Sequence, residues 1–116
     1  MKLPVGTKTD VEREKISDYL LNPAHPENGG KAAFFEGMGF RQSEWETFAE
    51  ALRSMATHGD VVRTTDSPHG RKYVIIGKLE SPSGRVAMAQ TIWIVDKGEQ
   101  AARLVTAYPA KARETK

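Results

Sequence analysis

The fold is decided between residues 43 and 65, which read SEWETFAEALRSMATHGDVVRTT. In the first part of this stretch the apolar side chains recur with the i, i+3, i+4, i+7 spacing of an amphipathic helix. They are Trp45, Phe48, Ala49, Leu52, Met55 and Ala56. Ser43 and Glu46 have the spacing of a capping box, and His58-Gly59 is a stop signal. After Gly59 the apolar period falls to two, which predicts that the chain changes from helices to strands here.

Two shorter helices are predicted upstream of this point. Residues 10–21 begin with Asp10 as a cap and carry apolar side chains at helical spacing, and residues 31–38 start a second helix. Between them, residues 22–30 contain two prolines, two asparagines and two glycines, which indicates an irregular loop. Residues 1–9 carry neither pattern, and we expect a flexible arm.

The second half of the chain predicts an antiparallel sheet. Turn residues at 66–70 and 81–84 separate strands at 71–80 and 85–95, and a loop at 96–101 precedes a last strand at 102–108. We therefore expect an α+β fold in which N-terminal helices (10–58) pack on a C-terminal four-stranded antiparallel sheet (59–109). On the last strand, Thr106 and Tyr108 are expected to share a face with Leu104. A polar tail (110–116) follows, and 116 residues are the length of a single domain.

Composition excludes several classes of protein. Hydrophobic residues make up 39% of the chain and charged residues 28%, which excludes a wholly disordered protein, and no apolar run is long enough to span a membrane. The absence of cysteine excludes disulfides, thiolate metal sites and cysteine nucleophiles. Residues 1–58 carry seven Lys/Arg and nine Asp/Glu (−2), whereas residues 59–116 carry ten and six (+4). This surplus on the predicted sheet suggests an anionic partner, and it is also typical of a solvated sheet face.

Three familiar site chemistries do not fit the sequence. The segment Asn28-Gly29-Gly30-Lys31 is followed by Ala32, where a nucleotide P-loop needs a hydroxyl. The three histidines lack metal-ligand spacing, and no G-x-S-x-G nucleophile elbow is present. We therefore expect neither a metal nor a cofactor.

Cleavage of RNA by its own 2′-hydroxyl needs neither of them. The reaction requires a base, an acid and donors that stabilise the negative charge of the phosphorane. His25 lies on the loop before Gly29-Gly30-Lys31, a plausible phosphate pocket, and His69 and Arg71 lie at a hairpin turn. For both places an ordinary loop or turn is the alternative interpretation.

The last predicted strand carries a resemblance. Residues Arg103–Pro109 read RLVTAYP, and this ending resembles bacterial toxin RNase domains of the superfamily that includes barnase, EndoU, colicin-type tRNases and RelE. Other segments resemble an uncharacterised bacterial domain family. They are Tyr19-Leu20-Leu21-Asn22-Pro23, His25-Pro26, Gly30-Lys31-Ala32, Phe35, Gly39-Phe40, Gly70-Arg71-Lys72-Tyr73, Ser81-Pro82-Ser83-Gly84 and Trp93-Ile94.

The RNase resemblance implies a site on the sheet. In that superfamily helices precede a four-stranded antiparallel sheet whose exposed face holds RNA. Thr106 and Tyr108 match its functional strand, whereas His25, Lys31 and Arg71 match by residue type and setting. The modest net charge of +2 departs from strongly basic RNase toxins.

The leading hypothesis is a metal-independent ribonuclease of bacterial toxin type. His25 or His69 would act as base or acid, Lys31 and Arg71 would hold the phosphate, and Thr106 and Tyr108 would orient it. Such a toxin acts on RNA in the cytoplasm, is delivered as part of a secreted toxin, and has a cognate antitoxin or immunity protein as its partner.

Two other functions stay open. One is a non-catalytic protein-binding module such as an antitoxin or immunity protein, which the acidic helical half and the absence of a compact catalytic triad favour. The other is a small-molecule-binding domain that uses Tyr73 and Trp93, although these aromatic side chains are more typical of a core.

Overall fold

Helices of this α+β protein pack on one face of a twisted sheet. The computed structural model describes residues 2–3, 7–22, 24–25 and 30–110. The strands are β1 (Thr9–Asp10), β2 (Asp60–Ser67), β3 (Gly70–Glu80), β4 (Val86–Asp96) and β5 (Ala102–Pro109). The helices are α1 (Arg13–Lys15), which continues as a π-helical turn (Ile16–Leu20), α2 (Lys31–Gly37) and α3 (Trp45–His58), which a 3₁₀ turn (Gln42–Glu44) precedes. In the described part of the chain no helix is long and apolar enough to cross a membrane.

The sheet has the strand order β1-β5-β4-β3-β2. Strands β2 to β5 form the expected antiparallel meander, and their bounds lie within one or two residues of the predicted ranges. The expectation of four strands and a purely antiparallel sheet was wrong, because β1 adds a fifth, parallel strand.

Strand β1 comes from the segment that we expected to be a flexible arm and the cap of the first helix. Thr9 pairs with Ala102 and Asp10 with Arg103, and the Ala102 amide also donates to the Lys8 carbonyl at 2.7 Å. This pairing covers the first two residues of β5, whose backbone groups would otherwise form an open edge. Two residues are too few to show a strand period, so the sequence pattern carries no trace of β1.

The first helix differs from the regular helix that its spacing predicts. Its α-helical part begins at Arg13, and the next turn widens so that the Leu21 amide donates to the Ile16 carbonyl at 2.8 Å. Such π-helical turns insert one residue and rotate the side chains that follow. Ile16 and Leu20 are fully buried, and Tyr19 lies half-buried between them.

Helix α3 confirms its predicted apolar face but not its predicted cap. Phe48, Ala49, Leu52, Met55 and Ala56 are all buried. The helix begins at Trp45 with Glu44 as its N-cap, and no side chain makes a capping hydrogen bond. The capping-box prediction was wrong because residues 42–44 form a 3₁₀ turn, which moves Ser43 away from the capping position.

The core lies between α3 and the face of the sheet that the odd-numbered residues of β3 and β4 share. Tyr73 and Ile75 of β3 and Trp93 of β4 contribute to this core. From the helical side, the ring centroid of Phe48 lies 4.8 Å from that of Phe35 and 4.5 Å from that of Phe40. The opposite face of the sheet carries the even-numbered residues of β3 and β4, and we call it the open face.

A bulge in β5 decides which residues reach the open face. Trp93 pairs with Leu104, but its neighbour Ile92 pairs with Thr106, so Val105 is an extra residue. Because neighbours along β4 point to opposite faces, Leu104 lies in the core whereas Thr106 lies with Ile92 on the open face. The prediction that Thr106 and Tyr108 share a face with Leu104 was therefore wrong.

Replacing Gly70 with alanine is expected to lower the free energy of unfolding by about 1 to 3 kcal/mol, the cost of a strained backbone conformation. Gly70 has φ +151°, and an added Cβ would lie 2.3 Å from the Val95 carbonyl oxygen. Gly37→Ala is the control, because its Cβ would meet nothing within 4 Å. Urea denaturation measures both variants, and equal stability of the two would contradict the β3–β4 register at Gly70.

Candidate functional site

Side chains from three separate segments meet beside the second half of β5. They are Tyr19 from the π-helical turn, Lys31 from the start of α2, and Thr106 from β5. Lys31 Nζ donates to the Tyr19 hydroxyl at 2.5 Å and to Thr106 Oγ1 at 3.3 Å. The Tyr19 hydroxyl and Thr106 Oγ1 lie 3.1 Å apart, so the three polar ends form one hydrogen-bonded cluster.

Two further side chains surround this cluster. The His25 ring packs edge-on against Tyr19, with a centroid distance of 5.0 Å. Lys31 Nζ lies 4.8 Å from the Tyr19 ring centroid and 5.6 Å from that of Tyr108, which is within the range of cation–π attraction. The Gln90 side-chain amide donates to the Tyr108 hydroxyl at 2.6 Å. We call Tyr19, His25, Lys31, Thr106 and Tyr108 the β5 cluster.

Local structure explains why these side chains meet. Ala32 and Phe35 are fully buried and fix α2 on the core, which leaves Lys31 at its first turn half-buried beside β5. The β5 bulge turns Thr106 out of the core, and the π-helical turn places Tyr19 against it. Each placement depends on a buried neighbour in the same element.

The cluster borders a cleft of about 620 Å³. The cleft is lined by Glu12, Glu14, Lys15, Asp18, Tyr19, His25, Val105 and Thr106. Its rim carries three carboxylates and one lysine. Among the described residues no group of three His, Asp or Glu side chains is arranged to hold a metal ion.

The cluster changes the acidity of Tyr19. Burial alone would raise the pKa of its hydroxyl, but the hydrogen bonds from Lys31 and Thr106 and the positive charges of Lys31 and Lys15 outweigh burial. The pKa of Tyr19 therefore lies below its ordinary value of 10.0. A phenol in this setting releases its proton more readily than an exposed tyrosine does.

The structure brings together His25, Lys31, Thr106 and Tyr108 of the predicted site residues and separates His69 and Arg71 from them. Arg71 pairs with Val95 of β4, whereas Thr106 pairs with Ile92, three residues further along β4. Ordinary spacings within and between strands then put the Cα atoms of Arg71 and Thr106 about 14 Å apart. The Arg71 guanidinium instead donates to both Asp66 carboxylate oxygens at 2.6 and 3.2 Å, and it lowers the pKa of that carboxyl.

His69 lies exposed at the turn between β2 and β3, where its carbonyl accepts from the Lys97 amide. Gly29, part of the predicted phosphate pocket, lies outside the described residues, as does the predicted tail after Ala110.

Sequence reasoning missed Tyr19 and Gln90 as members of the site. Tyr19 fitted the apolar face of the first helix. The only sequence feature that pointed to a role in the site was its hydroxyl group, close to the loop that contains His25. Gln90 becomes visible only through the register that sets it opposite Tyr108.

The fold and the site define an α+β sheet protein with a tyrosine–lysine–threonine cluster beside its last strand. Residues 2–111 match the family model described as "Domain of unknown function (DUF6883)", and the chain belongs to this family. No curated protein matches the sequence.

Among solved structures, the fold is similar to a chain of a "Contact-dependent growth inhibition toxin - immunity protein complex from Klebsiella pneumoniae 342". The TM-score is 0.70 at 18% identity, and the match covers 86% of this chain and 98% of that chain. At this identity the likeness shows a shared fold. Of the expectation drawn from the RNase resemblance, this confirms a fold shared with a chain of a toxin–immunity complex.

Proposed function

We propose that this chain is a metal-independent ribonuclease of bacterial toxin type whose site is the β5 cluster. The observation that carries the proposal is the meeting of Tyr19, Lys31 and Thr106 within hydrogen-bonding distance at the border of a cleft that His25 also lines. This arrangement collects a cation, two hydroxyls and an imidazole at one place, as RNA cleavage requires.

In this reaction the 2′-oxygen of a nucleotide attacks the neighbouring phosphorus and the P–O5′ bond breaks. Lys31 stabilises the negative charge that develops on the phosphoryl oxygens, and the hydroxyls of Thr106 and Tyr108 orient them. His25 exchanges a proton with one of the reacting oxygens, which is the usual role of an imidazole in acid–base catalysis. His69 and Arg71 are left out of the proposed site because of their distance from it.

The charge around the cleft favours one approach of the RNA. Glu12, Glu14 and Asp18 on the rim repel phosphates, whereas the exposed side chains of Arg63 and Lys72 lie on the open face. RNA that crosses the open face would reach Tyr108 and Thr106 without passing the carboxylates. This agrees with the sheet-bound substrate that the RNase resemblance implies.

A cognate antitoxin or immunity protein follows from this function. The structural likeness to a chain of a toxin–immunity complex supports such a partner. The RNA would be cut in the cytoplasm of a target cell, after delivery as part of a secreted toxin.

The second candidate is a non-catalytic protein-binding module of the antitoxin or immunity type. The open face favours it, since Met88 is 44% and Val86 55% exposed there, beside half-buried Ile76 and Ile92. Because the complex named above contains both a toxin and an immunity protein, the shared fold fits either role.

Incubation of total RNA and purified tRNA with the protein in EDTA tests the ribonuclease. We expect cleavage that His25→Ala lowers about 100-fold, the scale of a lost general acid or base. His69→Ala is the matched control, because His69 is an exposed histidine far from the cluster, and it should cleave like the wild type. Uncut RNA, or equal loss in both histidine variants, would overturn the proposal.

Induced expression in a bacterial host separates the two candidates. A ribonuclease arrests growth, and His25→Ala relieves the arrest. A binding module leaves growth unchanged in the wild type and the variant alike.

A further inference from the structure

We propose that Gln90 is a positioning residue for the RNA cleavage, which holds Tyr108 as a hydrogen-bond donor to the scissile phosphate. This inference rests on the proposed function and goes beyond it, because it gives a role to a residue of the neighbouring strand, outside the β5 cluster. Gln90 acts through the Tyr108 hydroxyl. The ligand of that hydroxyl is a phosphoryl oxygen of a ribonucleotide phosphodiester.

The strand register places Gln90 directly beside Tyr108. The two residues are a cross-strand pair of β4 and β5 on the open face. The Gln90 side-chain nitrogen donates to the Tyr108 hydroxyl oxygen at 2.6 Å. Side chains that stand opposite each other on one face of an antiparallel pair are close enough for such contacts. The hydrogen bond therefore follows from the sheet pairing, which gives it a fixed geometry.

Apolar side chains surround Gln90 on the open face. Ile76 stands opposite it on β3, and Met88 and Ile92 are its same-face neighbours along β4. Apolar neighbours offer the amide no hydrogen bond, and in half-buried surroundings of this kind a hydrogen bond is stronger than in water. The contact with Tyr108 is thus the favoured one for the Gln90 amide.

The donor and acceptor groups of Tyr108 set the direction of its next hydrogen bond. A phenol has one hydrogen to donate and an oxygen that accepts, whereas an amide nitrogen only donates. Tyr108 therefore uses an acceptor site for Gln90 and keeps its hydrogen. Within the described part of the chain no acceptor takes up that hydrogen. It stays available for an anionic ligand.

The Lys31 ammonium indicates where such an anion would bind. Its Nζ lies 5.6 Å from the Tyr108 ring centroid and 3.3 Å from Thr106 Oγ1. Thr106 Oγ1 accepts from Lys31 and also shares a hydrogen bond with Tyr19, so its hydroxyl is already engaged within the cluster. Tyr108 then supplies a neutral donor to a phosphoryl oxygen beside Lys31. This contact strengthens as negative charge grows on that oxygen, and no proton leaves Tyr108.

A double-mutant cycle on the cleavage of a short RNA in EDTA tests whether Gln90 acts through Tyr108. Gln90→Met removes the amide and keeps the side-chain length. It should lower kcat about 10-fold, the scale of one lost hydrogen bond, with KM little changed. Tyr108→Phe should lower kcat about 100-fold, and Gln90→Met should then have no further effect, because the two residues act as a unit. Losses that multiply in the double variant would overturn the inference.

Gln90→Glu tests the direction of the hydrogen bond. An ionised carboxylate only accepts, so it would take up the Tyr108 hydrogen that the phosphate needs. This substitution should therefore lower kcat more than Gln90→Met does. Its negative charge also repels RNA, and the same substitution in Tyr108→Phe measures that repulsion alone. Equal losses with and without the Tyr108 hydroxyl would contradict its role as a donor.

Gln100→Met is the matched control, because Gln100 is an exposed glutamine in the loop between β4 and β5. It should cleave like the wild type. The outcomes are distinguishable from those of the proposed function. A wild type that cuts RNA no faster than Gln90→Met overturns the positioning role and leaves the ribonuclease standing. A wild type that cuts no RNA overturns both.

Discussion

Replacing Lys31 with methionine is expected to lower the rate of RNA cleavage in EDTA by about 1000-fold, the upper end of the effect of removing one donor to a developing oxyanion. Lys31 Nζ contacts both Tyr19 and Thr106 and lies over the Tyr108 ring. Its removal therefore takes away the cation that stabilises the phosphorane, and it also removes a cause of the lowered pKa of Tyr19. Methionine keeps the length of the apolar stem, so the packing of α2 should persist.

Single-turnover cleavage of a short RNA measures this effect, with Lys97→Met as the matched control. Lys97 is an exposed lysine in the loop between β4 and β5, at the other end of β5 from Thr106 and Tyr108. The control should cleave within a few-fold of the wild type. Equal cleavage by the wild type and Lys31→Met would contradict a catalytic β5 cluster, provided that both proteins show the same thermal unfolding.

The sequence predicted the helices and strands that are long enough for their apolar pattern to repeat several times. Helix α3 and strands β3 to β5 each extend over enough residues for burial to repeat, so the pattern gives their bounds closely. Strand β1 has two residues and depends on a partner about ninety positions away, and no local pattern reports such pairing. The π-helical turn likewise leaves no mark in the sequence, because Ile16 and Leu20 have the same i, i+4 spacing that a regular helix would show.

The residue types of the β5 cluster could be predicted from the sequence, but which of the candidate residues lie close together in space could not. His25 and Lys31 stand twelve or fewer residues from Tyr19, whereas Thr106 lies 87 residues away, and only the packing of α2 against β5 joins them. Arg71 and His69 have the same chemistry as Lys31 and His25. The register of β3 and β4 nevertheless places their hairpin at the far end of the sheet.

The bulge in β5 shows how one inserted residue can create a site. With strict alternation Thr106 would follow Leu104 into the core, where its hydroxyl would need a buried partner. The extra Val105 turns Thr106 to the open face, and Ala107 returns to the core opposite Thr91. The bulge thus places the hydroxyl-bearing side chains of Thr106 and Tyr108 on the open face.

Replacing Trp93 with alanine is expected to lower the free energy of unfolding by about 3 to 5 kcal/mol, the cost of truncating a fully buried aromatic side chain. Trp93 is 0% exposed in a central strand, and its cross-strand neighbours are Tyr73 and Leu104. Its indole nitrogen donates to Thr91 Oγ1 at 2.8 Å, and Thr91 is itself fully buried. Alanine would therefore leave a cavity and remove one partner of a buried hydroxyl.

Urea denaturation followed by circular dichroism separates these two contributions. Trp93→Phe also loses the indole donor but keeps most of the volume, so it should cost less than Trp93→Ala. Trp45→Ala is the matched control, since Trp45 is half-buried at the start of α3 and should cost less than Trp93→Ala. Equal costs at Trp93 and Trp45 would contradict the pairing of β4 between β3 and β5. That pairing also sets Gln90 opposite Tyr108 and Ile92 opposite Thr106. The geometry of the β5 cluster therefore depends on the same strand pairing as the stability of β4.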